Sequence, residues 1–249
     1  MEPLLQISGL CVDYFATRGG RIHALRSVDL EICDKETAGI LGESGSGKSS
    51  LALAVLRLLP GNASVTAGKI QYRQHDLLLS SPEELRNIRG AEVALIFQEP
   101  ALALNPVLPV SVQIADVVRA HCGMSKPQAA NETHAMLREV GFTEPERIAR
   151  AYPHQLSGGQ RQRVAIAQAL ICKPRLLIAD EPLSSLDTVT QAEILELLQR
   201  LKQEMDLTIL FITHNVALLA GFADKVAVMR EGQVVARGTL QELQRREDP

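Results

Sequence analysis

The residues of this chain best suited to chemistry form a glycine-rich run that ends in a lysine and a serine, Gly42–Ser49. The run fits the spacing G-x-x-x-x-G-K-[ST] of a phosphate-binding loop. Its glycines let backbone N–H groups close around phosphate oxygens, and the following helix start adds partial positive charge. In this chemistry Lys48 reaches the β- and γ-phosphates, and the Ser49 hydroxyl takes a Mg²⁺ position. The alternative is a glycine turn that holds a lysine and a serine by chance.

A second candidate group is a pair of carboxylates at the end of an apolar run, Leu176–Glu181. The continuous apolar residues predict a parallel central strand that is buried on both faces. Ligands bind at the carboxyl end of such strands. There Asp180 suits Mg²⁺ coordination, and Glu181 is placed to orient or deprotonate a water. The alternative is a strand that merely ends in surface acids, but burying adjacent acids without a metal or a basic partner is costly.

A third group is another helix start that could face a phosphate, Leu156–Gln160. Ser157 can cap the helix, and Gly158 and Gly159 allow a ligand to approach closely. A second such helix start does not easily serve the same face of the same nucleotide. The alternative is a glycine turn before a helix, which accounts for Ser157 and one glycine only.

Single residues near predicted strand ends complete the candidates. His214 follows the buried run Leu207–Thr213, and Gln98 follows the run Val93–Phe97. A lone histidine after a strand is more often structural, but its position at the same sheet edge as the two carboxylates favours a role in the site. Tyr14 follows the first predicted strand, where a lone exposed aromatic is usually local packing.

The remaining pattern predicts the elements that position these groups. Alternation before the loop predicts a small antiparallel sheet, and Ser50–Leu56 predicts the helix that leaves the loop. The strands of that sheet are predicted at Ile7–Asp13, Arg21–Ala24 and Val28–Ile32, with a turn at Arg18–Gly20, and a further strand is predicted at Gly68–Tyr72. Prolines at 100, 106 and 109 mark a loop, and residues 99–156 are predicted to form a mostly helical insertion.

Composition bounds the possible functions. The 249 residues allow one large α/β domain or two small ones, and the net charge of −3 gives no electrostatic case for binding nucleic acid. Four cysteines without a C-x-x-C pair predict a reduced cytoplasmic protein without a zinc site. The N-terminus predicts no signal peptide, and no run approaches the roughly 20 apolar residues that span a bilayer. A membrane role would therefore come through a partner.

In this order, the motifs resemble the nucleotide-binding subunit of ABC transporters over nearly the whole chain. The matching segments are Tyr14 (the aromatic that stacks on adenine), Gly42–Ser49 (Walker A), Gln98 (Q-loop), Leu156–Gln160 (the LSGGQ signature), Leu176–Glu181 (Walker B), Ser184–Asp187 (D-loop) and His214 (H-loop). The resemblance implies an α/β fold: a P-loop NTPase (RecA-like) parallel-sheet core with an N-terminal antiparallel β subdomain and a helical signature subdomain. It implies one nucleotide-binding domain over 1–249, with 1–98 and 168–249 in the β subdomain and core and 99–167 in the helical subdomain.

The resemblance also implies a mechanism, in which two subunits sandwich two ATP molecules head to tail. It assigns ATP contacts to Tyr14, Gly42, Ser44, Gly45, Ser46, Gly47, Lys48, Ser49, Ser50, Ser157, Gly158, Gly159, Gln160 and Asp187. It assigns Mg²⁺ to Ser49, Gln98 and Asp180, and catalysis to Glu181, His214, Lys48 and Gln98. The signature of each chain would face the nucleotide held by the other, which accounts for the second phosphate-facing helix start.

Within the family, the chain is most similar to the importer ATPases for peptides and nickel. Three segments carry this likeness: Gly42–Ser49, 97–106 and 152–164. The implied partners are membrane permease subunits, a second identical or related ATP-binding subunit and, indirectly, an extracytoplasmic substrate-binding protein, with no nucleic acid. The implied location is peripheral, at the cytoplasmic face of the inner membrane.

The chain departs from the family pattern at two places and at its end. Lys35-Glu36 stands where Gly-Glu is usual, and Leu183–Ser185 stands where threonine-containing variants are usual. Peptide and nickel importers usually continue with a C-terminal extension, so its roles are not carried over to a chain that ends at Pro249.

Three rival functions remain. A soluble ABC ATPase acting on DNA would carry long coiled coils or zinc modules in the insertion, and the 58 positions between Gln98 and Leu156 are too few. A P-loop kinase of small molecules would have no use for the signature at 156–160. A non-catalytic regulatory subunit is disfavoured by intact Lys48, Glu181 and His214.

Overall fold

The computed structural model describes residues 3–16, 19–99 and 103–246. Arg18 of the predicted turn and Pro100 of the predicted loop lie outside the described residues. The chain forms two compact units, unit 1 with residues 1–86 and 208–249 and unit 2 with residues 87–207. Within the described ranges, every helix is too short or too polar to cross a membrane. The division into subdomains at 98/99 and 167/168 stays a prediction.

The described strands and helices follow one another along both units. The strands are β1 (Pro3–Phe15), β2 (Arg21–Cys33), β3 (Thr37–Leu41), β4 (Ala63–Tyr72), β5 (His75–Asp76), β6 (Val93–Ile96), β7 (Leu176–Asp180), β8 (Thr208–Thr213), β9 (Lys225–Arg230) and β10 (Gln233–Gly238). The helices are α1 (Lys48–Val55), α2 (Pro82–Ile88), α3 (Val110–Cys122), α4 (Lys126–Glu139), α5 (Pro145–Arg150), α6 (Gly158–Leu170), α7 (Thr188–Glu204) and α8 (Leu240–Arg246).

Unit 1 contains the predicted antiparallel sheet, in the order β2-β1-β4-β5. The sequence predicted two short strands at 21–24 and 28–32, and this was wrong, because β2 is one continuous strand. The register shifts between the pairs Leu10↔Val28 and Val12↔Leu25, and Ser27 takes a φ of 53°. Such a bulge breaks the alternation of buried and exposed residues, so a single strand shows the pattern of two.

A second sheet in unit 1 places β3 between β8 and β9, both parallel to it, while β10 pairs antiparallel with β9. Every residue of β8 is buried, as expected for a parallel strand covered on both faces. Leu41, the last residue of β3, pairs with Thr213, the last residue of β8. The segments that follow the two strands therefore leave the sheet at the same edge.

The turn that leads into β3 explains one departure from the family pattern. Lys35 has a φ of 62°, a left-handed conformation that glycine adopts without steric cost. Its backbone N–H donates to Thr208 Oγ1 at 2.7 Å, which ties the turn to the start of β8. The chain therefore keeps at Lys35 the conformation that a glycine there would provide.

Unit 2 contains the parallel pair β6 and β7, with Ile96 opposite Ala179. Helices α3, α4 and α5 occupy the residues predicted as a helical insertion, and they pack against one another. Helix α6 packs against α3, α4, α7 and β6. It thus connects the helical part of unit 2 to its strands.

Candidate active site

Two glycines of the phosphate loop in unit 1, Gly42 and Gly47, leave no room for a side chain. Gly47 has a φ of 101°, and a Cβ there would lie 2.5 Å from the Ala24 carbonyl oxygen. A Cβ on Gly42 would lie 2.5 Å from the Met229 carbonyl oxygen. The loop passes between the backbone of β2 and that of β9, so glycine is required at both positions by packing alone.

Lys48 points back into the loop and holds it closed. Its side chain is buried, and Nζ donates to the carbonyl oxygens of Gly42 at 2.9 Å and Glu43 at 2.8 Å. Ser46 Oγ is also buried and has no hydrogen-bond partner among the described residues. An ammonium and an unsatisfied hydroxyl inside one loop suit the oxygens of a phosphate chain.

The outer residues of the loop remain accessible. Ser44, Gly45 and Ser49 are exposed, and Gly45 takes a φ of 81° with no atom near the position of a Cβ. The Ser49 hydroxyl lies in the first turn of α1, whose N-cap is Gly47. An anion above this loop would meet a free helix N-terminus, which stabilises negative charge.

Tyr14 is placed differently from the sequence prediction. It lies inside β1 and is half-buried, and its hydroxyl lies 3.3 Å from Ser50 Oγ in α1. The description of Tyr14 as a lone exposed aromatic after the first strand was therefore wrong. The contact holds the phenol ring beside the first turn of α1, next to the phosphate loop.

The sequence analysis did not identify a buried charged group that lies next to Tyr14 in β1. Asp13 is buried beside Arg21 and His23 of β2, and it accepts from Arg21 Nε at 2.8 Å and pairs with His23 Nδ1 at 2.6 Å. The hydrogen bond from Arg21 holds the pKa of Asp13 below its usual range. A charged residue between the apolar Val12 and Tyr14 was the signal that could have revealed it.

His214 is the first residue after β8, and it is exposed. Because Thr213 pairs with Leu41, His214 and Gly42 are the first residues beyond two adjacent parallel strands. Neighbouring strands lie about 4.8 Å apart, so His214 begins within reach of the phosphate loop. Asn215 then accepts from the Ala217 backbone N–H at 3.0 Å and starts a 3₁₀ turn that fixes this segment.

Unit 2 brings together the glutamine and the catalytic candidate from two parallel strands. Gln98 lies two residues beyond β6, and Glu181 is the first residue beyond β7. The Gln98 Nε2 group donates to Glu181 Oε2 at 3.3 Å. The amide and the carboxylate are 83 residues apart in sequence, and the parallel pairing of their strands brings them into contact.

Glu181 also has an unusual backbone. Its φ is 45°, in the left-handed region where a residue with a Cβ is strained. Its carbonyl oxygen accepts from the Ser184 hydroxyl at 3.1 Å, which holds the turn. Leu183, the first residue of the segment that departs from the family pattern, has a buried side chain, and its carbonyl oxygen accepts from Gln191 Nε2 at 2.9 Å.

The signature segment begins α6 as a capped helix. Ser157 Oγ accepts from the Gln160 N–H at 3.2 Å, and Gln160 Oε1 accepts from the Ser157 N–H at 3.0 Å. A Cβ on Gly159 would lie 2.7 Å from the Thr190 methyl group of α7, and one on Gly158 would lie 3.3 Å from the Leu186 side chain. Packing against α7 therefore explains Gly159 without a ligand, whereas a Cβ on Gly158 would require only a small shift of the Leu186 side chain.

Asp187 in unit 2 is the N-cap of α7. Its carboxylate accepts from the Thr190 backbone N–H at 3.0 Å and from the Thr190 hydroxyl at 2.7 Å. These bonds, the backbone one first, hold the pKa of Asp187 below its usual range. Because Thr190 also contacts Gly159, the predicted D-loop and signature meet at this side chain.

The predicted site residues thus form two described sets. Unit 1 holds Tyr14, Gly42, Ser44, Gly45, Ser46, Gly47, Lys48, Ser49, Ser50 and His214, and unit 2 holds Gln98, Ser157, Gly158, Gly159, Gln160, Asp180, Glu181 and Asp187. Asp180 is the buried last residue of β7. Over the described ranges, no three His, Cys, Asp or Glu side chains come together as a metal site. The fold and the phosphate loop together define a P-loop nucleoside triphosphatase.

The comparison with known proteins narrows this class to one family. Residues 25–184 match the family model described as "ABC transporter". The chain belongs to the ABC transporter family, and it is an ATPase of that family with the predicted α/β P-loop NTPase fold. The predictions of family, fold class and enzyme class from sequence are therefore confirmed.

Individual relatives cover nearly all of the chain. A dipeptide transport ATP-binding protein of Bacillus subtilis is 43% identical over 98% of this chain, which spans 72% of that protein. An oligopeptide transport ATP-binding protein of B. subtilis is 43% identical over 96% of this chain and 67% of its own length. A glutathione import ATP-binding protein of Salmonella typhimurium is 44% identical over 97% of this chain, which spans only 40% of it.

Solved structures agree with the fold. A dimeric post-hydrolysis state of the ATP-binding cassette MJ0796, bound to ADP and phosphate, superposes with a TM-score of 0.83 at 29% identity. That match covers 95% of this chain and 98% of the other. The cbiO1 subunit of an ABC transporter complex from Clostridium perfringens gives a TM-score of 0.82 at 27% identity over all of this chain and 93% of its own.

Proposed function

We propose that this chain is the ATP-hydrolysing subunit of a membrane importer and that the imported cargo is a peptide. Two observations support the ATPase role: the phosphate loop is intact and closed by buried Lys48, and Glu181 accepts a hydrogen bond from Gln98 after a parallel strand. The assignment of a peptide as the cargo rests on the names of the relatives. They are dipeptide, oligopeptide and glutathione transport or import proteins, and glutathione is itself a tripeptide.

The chemistry that we propose assigns one task to each group. Lys48 and the loop N–H groups bind the phosphates, with Ser46 Oγ as a further donor inside the loop. Tyr14 stacks on the adenine ring from its fixed position beside Ser50. His214 donates to the terminal phosphate from the end of β8.

Magnesium fits the oxygen donors that the chain offers. Mg²⁺ prefers carboxylate, hydroxyl and phosphate oxygens in octahedral geometry. Ser49 at the start of α1 would supply a hydroxyl, Asp180 at the end of β7 a carboxylate, and Gln98 beyond β6 an amide oxygen. The ion would add positive charge where negative charge develops on the transferring phosphoryl group.

Glu181 is the proposed general base. A carboxylate that accepts a hydrogen bond from the Gln98 amide is oriented, and its second oxygen can take the proton of an attacking water. The proposed partners are a second ATP-binding subunit in a head-to-tail dimer, two permease subunits and, outside the membrane, a substrate-binding protein. The proposed location is the cytoplasmic face of the membrane.

The alternative of an ATPase acting on DNA is not favoured, because the relatives are named for import. Stimulation of ATP hydrolysis by duplex DNA, with a strong dependence on salt, would be required to restore it.

The deciding experiment measures cargo-dependent ATP hydrolysis in the assembled transporter. The tagged chain is purified from its native membrane with the proteins that remain bound to it, and the complex is reconstituted in vesicles. We expect di- to oligopeptides to stimulate phosphate release and to accumulate in the vesicles, and Glu181→Gln to abolish both effects. Stimulation by nickel alone would overturn the peptide assignment but not the importer assignment. Co-purification without any membrane protein would overturn both.

A further inference from the structure

Two thiols that the nucleotide chemistry does not use lie against each other in unit 2. Cys122 is the exposed last residue of α3, and Cys172 is half-buried two residues beyond α6. Their Sγ atoms are 4.0 Å apart. Cys172 Sγ also lies 3.9 Å from the Val117 carbonyl oxygen of α3, which aims its thiol at this helix.

The geometry favours a covalent bond between these sulfurs. A disulfide has an S–S distance of about 2.05 Å, so the two Sγ atoms must approach by about 2 Å. Cys122 is exposed and Gly123, the next residue, takes a φ of 62° at the helix end. Rotation of an exposed side chain at a helix terminus supplies such a movement without disturbing the helix. The neighbouring thiols are therefore within reach of each other.

We propose that Cys122 and Cys172 form a peroxide-responsive disulfide that ties the end of α3 to the end of α6. The Cys122 thiolate attacks hydrogen peroxide and becomes a sulfenic acid, and the displaced oxygen leaves as water. The Cys172 sulfur then attacks the sulfenic sulfur, loses its proton and expels a second water. Two thiols and one hydrogen peroxide thus give one disulfide and two waters.

The surroundings of the two sulfurs set the order of these steps. Peroxide reaches Cys122 first, because Cys122 is exposed and Cys172 is half-buried. Burial, with the neighbouring Cys122 second, raises the pKa of the Cys172 thiol to about 12. Cys172 therefore stays protonated while Cys122 reacts, and its later attack on the sulfenic acid beside it is limited by loss of its proton.

The bond would connect the signature helix to the helical part of the unit. Helix α6 begins at the Ser157 cap, and its other end lies beside Cys172. The cross-link would close a loop of 50 residues that contains α4, α5 and the signature. Closing a loop of this length restricts the unfolded chain and stabilises the folded one. The inference does not depend on which cargo the importer carries.

The test uses the full chain, reduced and then treated with hydrogen peroxide before alkylation of the remaining thiols. We expect two of the four cysteines to be protected and the intact chain to be about 2 Da lighter, with one cross-linked peptide pair that contains residues 122 and 172. The Cys122→Ser variant should not form the pair. The matched control is Cys33→Ser, which removes a thiol in unit 1 and should leave the cross-link intact.

A second measurement separates a cross-link from simple oxidation. The oxidised chain should melt roughly 5 °C or more above the reduced chain, and dithiothreitol should reverse the difference. The Cys122→Ser variant should show no such difference, although its reduced form should melt like the unmodified chain. Oxidation of Cys122 to sulfinic acid with Cys172 still free, a disulfide between two chains, or an unchanged melting temperature would each overturn the proposal. None of these outcomes bears on peptide-stimulated ATP hydrolysis.

Discussion

Glu181 has a strained backbone and an oriented side chain, two features that are common in catalytic residues. Its backbone is held in the left-handed region at a φ of 45°, and the Ser184 hydroxyl fixes its carbonyl oxygen. Strain of this kind persists only where the surrounding structure enforces it, and it occurs often at active sites. The side chain is oriented by Gln98 from the neighbouring strand. Backbone and side chain are therefore both positioned before any ligand arrives.

Replacing Glu181 with glutamine should separate ATP binding from hydrolysis. Glutamine has nearly the same shape but cannot take a proton, so the rate constant should fall by about 10²- to 10⁴-fold while ATP still binds. Phosphate release and the binding of a fluorescent ATP analogue measure the two steps. Glu196→Gln, an exposed change on α7, is the control and should keep full turnover. Unchanged turnover of the Glu181 variant would refute its assignment as the base.

Tyr14 offers a test of adenine stacking, because its ring and its hydroxyl can be removed separately. Tyr14→Ala should weaken ATP binding about tenfold through loss of stacking. Tyr14→Phe keeps the ring and removes only the contact with Ser50, so its affinity should stay within about twofold. Calorimetric titration with ATP measures both variants. Equal affinities of the alanine variant and the unmodified chain would exclude the stacking role.

At the scale of elements, continuous apolar strands were the most predictable part of the fold. The buried strands β7 and β8 were predicted within a residue or two, because parallel strands covered on both faces have long apolar runs. The bulge at Ser27 could not be predicted, since it depends on the register with β1. For the same reason the sequence did not reveal that Asp13 meets Arg21 and His23.

For the site too, the parts formed by residues close in sequence could be predicted, and the contacts between residues far apart in sequence could not. The phosphate loop is contiguous in sequence, and its spacing was enough to predict it. The contact of Gln98 with Glu181 joins residues 83 positions apart and depends on the pairing of β6 with β7. The structural reason for Gly159 was also hidden, because Thr190 lies on another helix.

The close contact between α6 and α7 allows a test of why Gly159 is needed. Gly159→Ala places a Cβ against the Thr190 methyl group, and this overpacking should cost about 1–3 kcal/mol of unfolding free energy. Adding Thr190→Ser removes that methyl group and keeps the hydroxyl that bonds Asp187, so the double variant should regain most of the loss. Urea unfolding measures the stabilities.

ATP hydrolysis in the same pair of variants distinguishes the two roles of the glycine. If Gly159 approaches a phosphate, the double variant should be stable yet poorly active. Full recovery of activity along with stability would show that the glycine serves helix packing alone.

The cap of α7 should make unfolding depend on pH. The hydrogen bonds from Thr190 lower the pKa of Asp187 in the folded chain below its ordinary 3.8. A lowered folded-state pKa adds stability above the unfolded pKa, and that stability disappears as pH falls through the folded value. The unmodified chain should therefore be more stable than Asp187→Ala at pH 6, and the difference should shrink toward pH 3. Denaturant midpoints at several pH values measure it, and a constant difference would contradict the charged cap.

At the scale of the whole molecule, the chain carries two helix starts suited to phosphate. One follows the loop at Gly47, and the other begins at the exposed Ser157 cap. Both helix starts would bind phosphate if the loop of one chain and the signature of a second chain held the same nucleotide. A solved relative is described as a dimer bound to ADP and phosphate. Two identical chains would then give two equivalent composite sites.

Composite sites predict that two inactive variants restore activity when mixed. Lys48→Met disables the loop, and Ser157→Asp keeps a good helix cap while opposing a phosphate with a carboxylate. In a mixed dimer, one site combines the intact loop of the second variant with the intact signature of the first, and the other site carries both changes. Random pairing makes about half of the dimers mixed, each with one good site, so about a quarter of the normal number of sites should return.

Phosphate release from equal mixtures measures this recovery, with each variant alone as the baseline. A control mixture of Lys48→Met with Glu181→Gln tests the arrangement further. In the proposed mechanism Lys48 and Glu181 of one chain act on the same nucleotide, so each site of the mixed dimer would keep one defect and no activity should return. Recovery in the first mixture alone requires that loop and signature come from different chains. Equal, negligible activity in both mixtures would contradict a dimer of identical chains, because no pairing of the two variants would then have produced an intact site.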